Sequence, residues 1–208
     1  MIRLLYIVLT YPLLCIGNLF YRNNFDGIRD DIDKCIDVID SKKLDVPDFW
    51  IDYLIFAEDH RFNIHYGIDF YAIVRAVHST KVRKIYQGAS TIQQQYVRVV
   101  TSRYEKTLWR KIREQLLAIL LTNKIHKVEI AKAYLTIAFY GSQQDGLESY
   151  LKRKNQRIEN VNSDEALALV ARLKYPEPLS NKDAWKVVIS NRMKYVLKRM
   201  DETTDTLS

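Results

Sequence analysis

The sequence predicts an all-α protein behind one apolar N-terminal helix, and three observations predict it. From Leu4 to Tyr21 ("LLYIVLTYPLLCIGNLFY") no residue carries a charge, over a length close to the ~20 residues that a bilayer core requires. Beyond that run, apolar residues recur at three- and four-residue spacing between helix start and stop signals. No stretch alternates at period two for long, and neither an internal repeat nor a low-complexity segment interrupts the pattern. At 208 residues there is room for one compact domain and an accessory segment, a single core commonly forming at ~100–200 residues.

Each element follows in order. The apolar run tolerates Pro12 as a membrane helix would, and Arg3 on its short side predicts a cytoplasmic N-terminus with everything after Arg22 outside. A cleaved signal peptide is the competing reading, but no small-x-small cleavage pattern follows, so an uncleaved anchor over residues 1–21 is expected. Residues 22–46 read as an amphipathic connector, with Ile28, Ile32, Ile36 and Ile39 at helical spacing. Phe49, Trp50, Tyr53, Leu54 and Ala57 predict a helix entered through Pro47. Asp69 and Ser90 are N-caps for helices starting at Phe70 and Thr91. Lys106 to Ile125 predicts a longer helix with Leu108, Ile112, Leu116, Ile119 and Leu120 on one face. Lys127 to Tyr140 stops at Gly141, Ser163 opens an alanine- and leucine-rich helix to Leu173, and Lys182 to Met200 resumes after Pro176 and Pro178. The main domain thus covers 47–200, and residues 201–208 form a polar, frayed tail.

Charge narrows the partners only to a class. Lys and Arg outnumber Asp and Glu by 32 to 25, a net charge of +7, which favours nucleic acid, phosphorylated substrates or an acidic membrane surface. Cys15 and Cys35 are too few for a disulfide framework.

Three stretches could carry chemistry. "AEDHRFNIHYGID" packs Glu58, Asp59, His60, Arg61 and His65 where a helix gives way to a glycine turn. Adjacent carboxylates can supply a general base, although charged residues at a helix end are ordinarily solvated. His60 and His65 have no further Cys or His cluster with which to complete a metal site. "GASTIQQQ" places Gly88, Ser90 and Thr91 at a helix start whose free N–H groups suit phosphate oxygens, or which is simply capped. On the helix that follows, Gln94 and Arg98 share a face, as do Thr91 and Gln95. "EKTLWRKIRE" sets Lys106, Arg110 and Glu114 along one helical stripe, beside Lys111 and Arg113; such charges are usually solvated when they stand alone.

In this order the segments resemble the glycosyltransferase family 51 domain of peptidoglycan glycosyltransferases, which occurs alone in monofunctional enzymes and at the front of class A penicillin-binding proteins. The resemblance covers most of residues 47–200. The pattern E-D-x-x-F-x-x-H-x-G stands as Glu58, Asp59, Phe62, His65 and Gly67; G-x-S-T-I-x-Q-Q as Gly88, Ser90, Thr91, Ile92, Gln94 and Gln95; R-K-x-x-E as Arg110, Lys111 and Glu114. Weaker matches are Lys127, Glu129 and Ile130 followed by Tyr134 and Leu135, and then Arg192, Val196 and Leu197. The departures are Arg98 and Val99 where the family carries lysine and asparagine, Thr136 for an asparagine, and Lys132 for a glutamate.

The resemblance implies a monofunctional transglycosylase with a lysozyme-like all-α fold and a smaller jaw lobe. It implies polymerisation of lipid II into glycan strands by inverting transfer, with release of polyprenyl pyrophosphate. Glu58 is then the catalytic base and Glu114 the second essential carboxylate. Asp59, Phe62, His65, Ser90, Thr91, Gln95, Arg98, Lys106, Arg110 and Lys111 are the expected substrate-binding residues. No cofactor is required, though Mg2+ or Mn2+ could share the pyrophosphate charge, and no protein metal site is expected. The implied partners are lipid II, the growing strand, the membrane and other cell-wall synthesis proteins, not nucleic acid. The implied location is the bacterial inner (plasma) membrane, single-pass, with the catalytic domain on the periplasmic or extracytoplasmic side. A lysozyme-like lytic glycosidase and a non-catalytic lipid II-binding scaffold are the alternatives.

Overall fold

The computed structural model describes residues 2–41, 44–84, 88–142 and 144–204. Among them there is no β-strand, only two isolated bridges, Phe139 with Asp145 and Gly141 with Glu177. The chain forms two compact units, neither continuous in sequence: Met1–Ser41 with Arg61–Ala131, and Lys42–His60 with Lys132–Ser208.

The first unit begins with α1 (Ile2–Arg22), 21 residues long and apolar enough by length and composition to cross a membrane. One narrow face of it, Tyr6, Thr10 and Gly17, is buried, while Leu4, Leu5, Val8, Tyr11 and Leu19 are exposed. A turn leads to α2 (Ile28–Asp40), whose buried residues are Ile28, Ile32, Cys35 and Ile39; Ile36, expected on that face, is only half-buried. Asn24 caps α2 from outside the helix, its Oδ1 accepting from the Arg29 N–H at 3.0 Å. Three helices follow: α4 (Phe70–Arg83), α5 (Ile92–Thr101) and α6 (Leu108–Lys124), numbered after α3 (Asp48–Glu58) of the second unit. The predicted cap Asp69 accepts from the Ala72 N–H at 2.9 Å. It also accepts from the Tyr6 hydroxyl at 2.6 Å and pairs with Arg61 at 2.8 Å. Burial would raise the Asp69 carboxyl, but these hydrogen bonds and the Arg61 charge hold it below the usual carboxylate range. The core forms where α6 packs on α1, α2 and α5. Leu116 to Leu121 are all buried there, each such leucine or isoleucine contributing ~1.5–3 kcal/mol over leaving it in water.

The second unit packs α3, α9 (Ser163–Arg172) and α10 (Lys182–Thr204) on one another, with Trp50 and Leu54 fully buried. Between them, α7 (Lys127–Ile137) runs from the first unit's segment into the second, and α8 (Leu147–Lys154) precedes α9.

Several boundaries depart from expectation. Pro47 is the N-cap of α3, not its first turn. α7 ends at Ile137 because Tyr140 and Ser142 make backbone hydrogen bonds with Gln144 and Glu177 instead of continuing the helix. Gly141, at φ +139° and with Glu177 backbone 2.6 Å from where a Cβ would sit, is required for that close approach. α8 was not expected at all. α10 runs past Met200 to Thr204, so the first half of the polar tail is helical; residues 205–208 lie outside the described residues.

Candidate functional site

In the first unit the chemistry gathers around Glu114. α5 begins one residue later than expected, because Thr91 and not Ser90 is the N-cap: the Thr91 hydroxyl accepts from the Gln94 N–H at 3.3 Å, and the Gln94 side chain accepts from the Thr91 N–H at 3.1 Å. That reciprocal box leaves Ser90 outside the helix, where its Oγ accepts from Arg98 and Lys111, each at 3.1 Å. Arg98, two turns along α5, forks onto Glu114 with Nε at 2.9 Å from one oxygen and its second nitrogen at 3.0 Å from the other. From α6 itself, Arg110 donates to Glu114 across one turn and Lys111 reaches it at 2.7 Å.

Glu114 is thus a hub, 4% exposed, with three half-buried cations around it. Burial alone would raise its carboxyl, yet hydrogen bonds from Arg98 and Lys111 and the surrounding positive charge hold it below the ordinary glutamate range. Lys111 is lowered by burial and by its neighbours Arg98 and Arg110, with Glu114 opposing. Three cations against one carboxylate leave a net charge of +2. A small recess beside the cluster is lined by Arg98, Arg103, Arg110 and Arg113 together with Glu114 and Leu117, so excess positive charge borders it, a setting that attracts anions.

Lys106 does not join this stripe. It lies exposed ahead of Thr107, which caps α6 by accepting from the Arg110 N–H at 3.1 Å, so it is outside the helix whose spacing was to align it. The predicted apolar face also fails in the first turns, because Leu108 and Ile112 are exposed and Arg113 occupies the buried side instead.

The buried members of the predicted set connect the motifs to one another. The Thr91 hydroxyl donates to the Gly67 carbonyl at 2.8 Å, and the Gly67 N–H donates to Nδ1 of His65 at 3.2 Å. Lys127 donates to the His65 carbonyl at 2.9 Å and lies over the Phe62 ring at 4.3 Å. Phe62, His65 and Thr91 are each no more than 2% exposed; they hold the loop after the first motif against α5 and α7. Gln95 is half-buried on α5.

In the second unit Glu58 is the last residue of α3. Arg192 of α10 donates to its carboxylate at 3.0 Å and also to the Ala57 carbonyl. Asp59 follows, 4% exposed, with its N–H closing the helix onto the Ile55 carbonyl at 2.8 Å. Arg192 belongs to the weakest of the family matches and was not among the expected site residues.

A family model described as transglycosylase matches residues 37–201. The chain belongs to the transglycosylase family. Among its relatives, penicillin-binding protein 1A of Aquifex aeolicus is 36% identical over 133 residues, covering 63% of this chain and 18% of that protein. The protein of the same name from Clostridium tetani is 32% identical over 194 residues, 84% of this chain and 24% of the relative. That from Rickettsia typhi is 33% identical over 175 residues, 78% and 22%. The chain therefore spans under a quarter of the length of these relatives. Its all-α architecture is that of a transglycosylase domain.

Three departures from the family pattern have physical partners here. Arg98 supplies the forked contact to both Glu114 oxygens, which a lysine could not make. Lys132, in place of a glutamate, pairs with Asp48 at 3.0 Å and lies 3.6 Å from Asp45. Thr136 turns its hydroxyl back onto the Lys132 and Ala133 carbonyls of its own helix.

Proposed function

We propose that this chain is a membrane-anchored peptidoglycan glycosyltransferase that polymerises lipid II into glycan strands. The observation that carries the reading is the Glu114 hub: an ionised carboxylate pre-assembling Arg98, Arg110 and Lys111 with positive charge to spare. Such a cluster stabilises a pyrophosphate that departs as an anion and needs no proton. In the proposed step the acceptor hydroxyl oxygen bonds to the donor sugar C1 while the bond from C1 to the pyrophosphate breaks. The hydroxyl proton passes to Glu58, and the electron pair leaves with the pyrophosphate, inverting α to β. Arg192 fixes the direction in which the Glu58 carboxylate points, and Ser90 and Gln95 orient substrate oxygens.

Both Glu114 oxygens already accept from cations, and three positive groups repel a divalent ion, so the residues of the hub do not fit Mg2+ or Mn2+. The apolar helix α1 keeps the domain beside its lipid-linked donor at the bacterial plasma membrane, with the catalytic residues on the extracytoplasmic side. Lipid II, the growing strand and other wall-synthesis proteins are the partners in this reading.

Incubating the purified chain with labelled lipid II tests it. Glycan polymer is the expected product; cleavage of preformed sacculi would instead identify a lytic glycosidase, and binding without turnover a scaffold.

A further inference from the structure

The first turns of α6 carry Arg110 and Lys111, yet apolar burial does little to hold them. Leu108 is 78% exposed, Trp109 41% and Ile112 39%. What holds this segment is polar and comes from the turn between α1 and α2. One oxygen of Asp26 accepts both the Trp109 indole N–H at 3.0 Å and Arg113 Nε at 2.9 Å. Arg113, 1% exposed, also donates to the Asp26 carbonyl at 2.7 Å and to Asp31, and Arg103 lies 3.9 Å from Asp26. Trp109 and Arg113 are four residues apart and share one stripe of α6; Arg110 and Glu114 form the adjacent stripe. Gripping the first stripe therefore sets where the second one points.

The gripping turn is itself sharply specified. Asn24, Asp26 and Gly27 all have left-handed backbone, with φ of 47°, 52° and 69°, a conformation that only Gly, Asn and Asp adopt readily. Phe25 extends the contact, its ring tilted against Phe20 in the last turn of α1 at 4.6 Å and meeting the Trp109 ring edge-on at 6.1 Å.

We propose that Asp26 is a positioning residue for glycosyl transfer: through Trp109 and Arg113 it fixes the rotation of α6, and so the placement of Arg110, Lys111 and Glu114. Through Phe25 and Phe20 it also ties that placement to the end of the apolar helix. This rests on the glycosyltransferase reading. The anchor is then part of the machinery that arranges the cationic hub as well as a tether.

The test compares Asp26→Asn with Asp26→Gly in the full-length chain, since both residues accept the left-handed backbone and only asparagine keeps an acceptor for Trp109 and Arg113. The measurements are kcat and KM for lipid II polymerisation, and the melting temperature. Asp26→Gly should lower kcat on the order of 10- to 100-fold with little change in KM, a loss typical of misplaced catalytic groups, while staying folded at the assay temperature, since Arg113 keeps Asp31 and the carbonyl of residue 26. Asp26→Asn should restore most of the rate. Trp109→Phe, which removes one donor and keeps the ring on Phe25, should fall between them. Wild-type kcat in Asp26→Gly overturns the proposal, as does an Asp26→Asn defect as deep as that of Asp26→Gly. A loss of rate in Asp26→Gly that merely tracks its unfolded fraction also overturns it. An unmodified chain that makes no polymer overturns the glycosyltransferase reading itself, and the proposal with it.

Discussion

Replacing Glu114 by Gln removes the one negative charge from a buried cluster of three cations, and the structure sets the size of the effect. The carboxylate is 4% exposed, while its partners Arg98, Arg110 and Lys111 are 28%, 19% and 31% exposed. Water therefore screens the cations but not the anion. Breaking a buried pair from one side costs ~3–5 kcal/mol, and partial exposure of the partners places this case at the lower end, about 3 kcal/mol. For a chain of this size that corresponds to a melting point lower by ~6–12 °C. The loss should also depend on pH. An unperturbed glutamate titrates near 4.5 and Glu114 lies below that in the folded chain. Its stabilisation is therefore fully present above pH 4.5 and disappears as pH falls through the lower folded value. Thermal melts of wild type and Glu114→Gln across this window should show a gap that is wide at neutral pH and closes toward acid. A gap that stays constant on acidification, or a variant more stable than the parent at neutral pH, would refute the hub.

Three further outcomes follow from the same geometry. Glu58→Gln keeps an acceptor for Arg192 but removes the proposed base, so polymerisation should drop by ~10²–10⁴-fold with lipid II binding retained; turnover assays beside equilibrium binding decide it. Arg98→Ala should reduce donor use more than Arg98→Lys, since lysine keeps the charge and loses only the fork onto Glu114; equal losses would assign Arg98 a purely geometric role. Gly67→Ala forces a Cβ to 2.6 Å from the Ala118 carbonyl at φ +92°, so it should destabilise the first unit by ~2 kcal/mol or more, and an unchanged melting temperature would contradict this.

What could be read from the sequence was whatever repeats locally. The helices from α1 to α7, with α9 and α10, announced themselves through spacing and caps, because a helix buries one stripe and its ends need partners. α8 escaped because eight residues of mostly charged and polar character, Leu147–Lys154, carry too short an apolar stripe to stand out. The glutamine run was legible as a helix start, though not its division of labour. Gln94 closes the capping box and Gln93 turns to the buried side of α5, so two of the three amides face inward. Lys106 was misplaced because helical spacing was extended across Thr107, where the backbone is still extended. Asp26 carried no signal in the sequence, and Arg192 only its place in the weakest match. Their partners stand 87 and 134 positions away, so neither contact could be read from local spacing.

In the proposed reading, the environment of Glu114 favours building over cutting. A lytic glycosidase of the lysozyme kind needs one carboxyl that keeps its proton near neutral pH, to deliver it to a sugar oxygen leaving as an alkoxide. Glu114 cannot be that acid: Arg98, Arg110 and Lys111 all donate to it and hold it ionised, and its two oxygens have no room left to carry a proton. What this cluster can do is neutralise a group that leaves already charged. A pyrophosphate asks for that and for nothing more, so proton transfer reduces to one event at the acceptor hydroxyl. The charge that such a leaving group needs is what Glu114 assembles within the first unit, holding Arg98, Arg110 and Lys111 together.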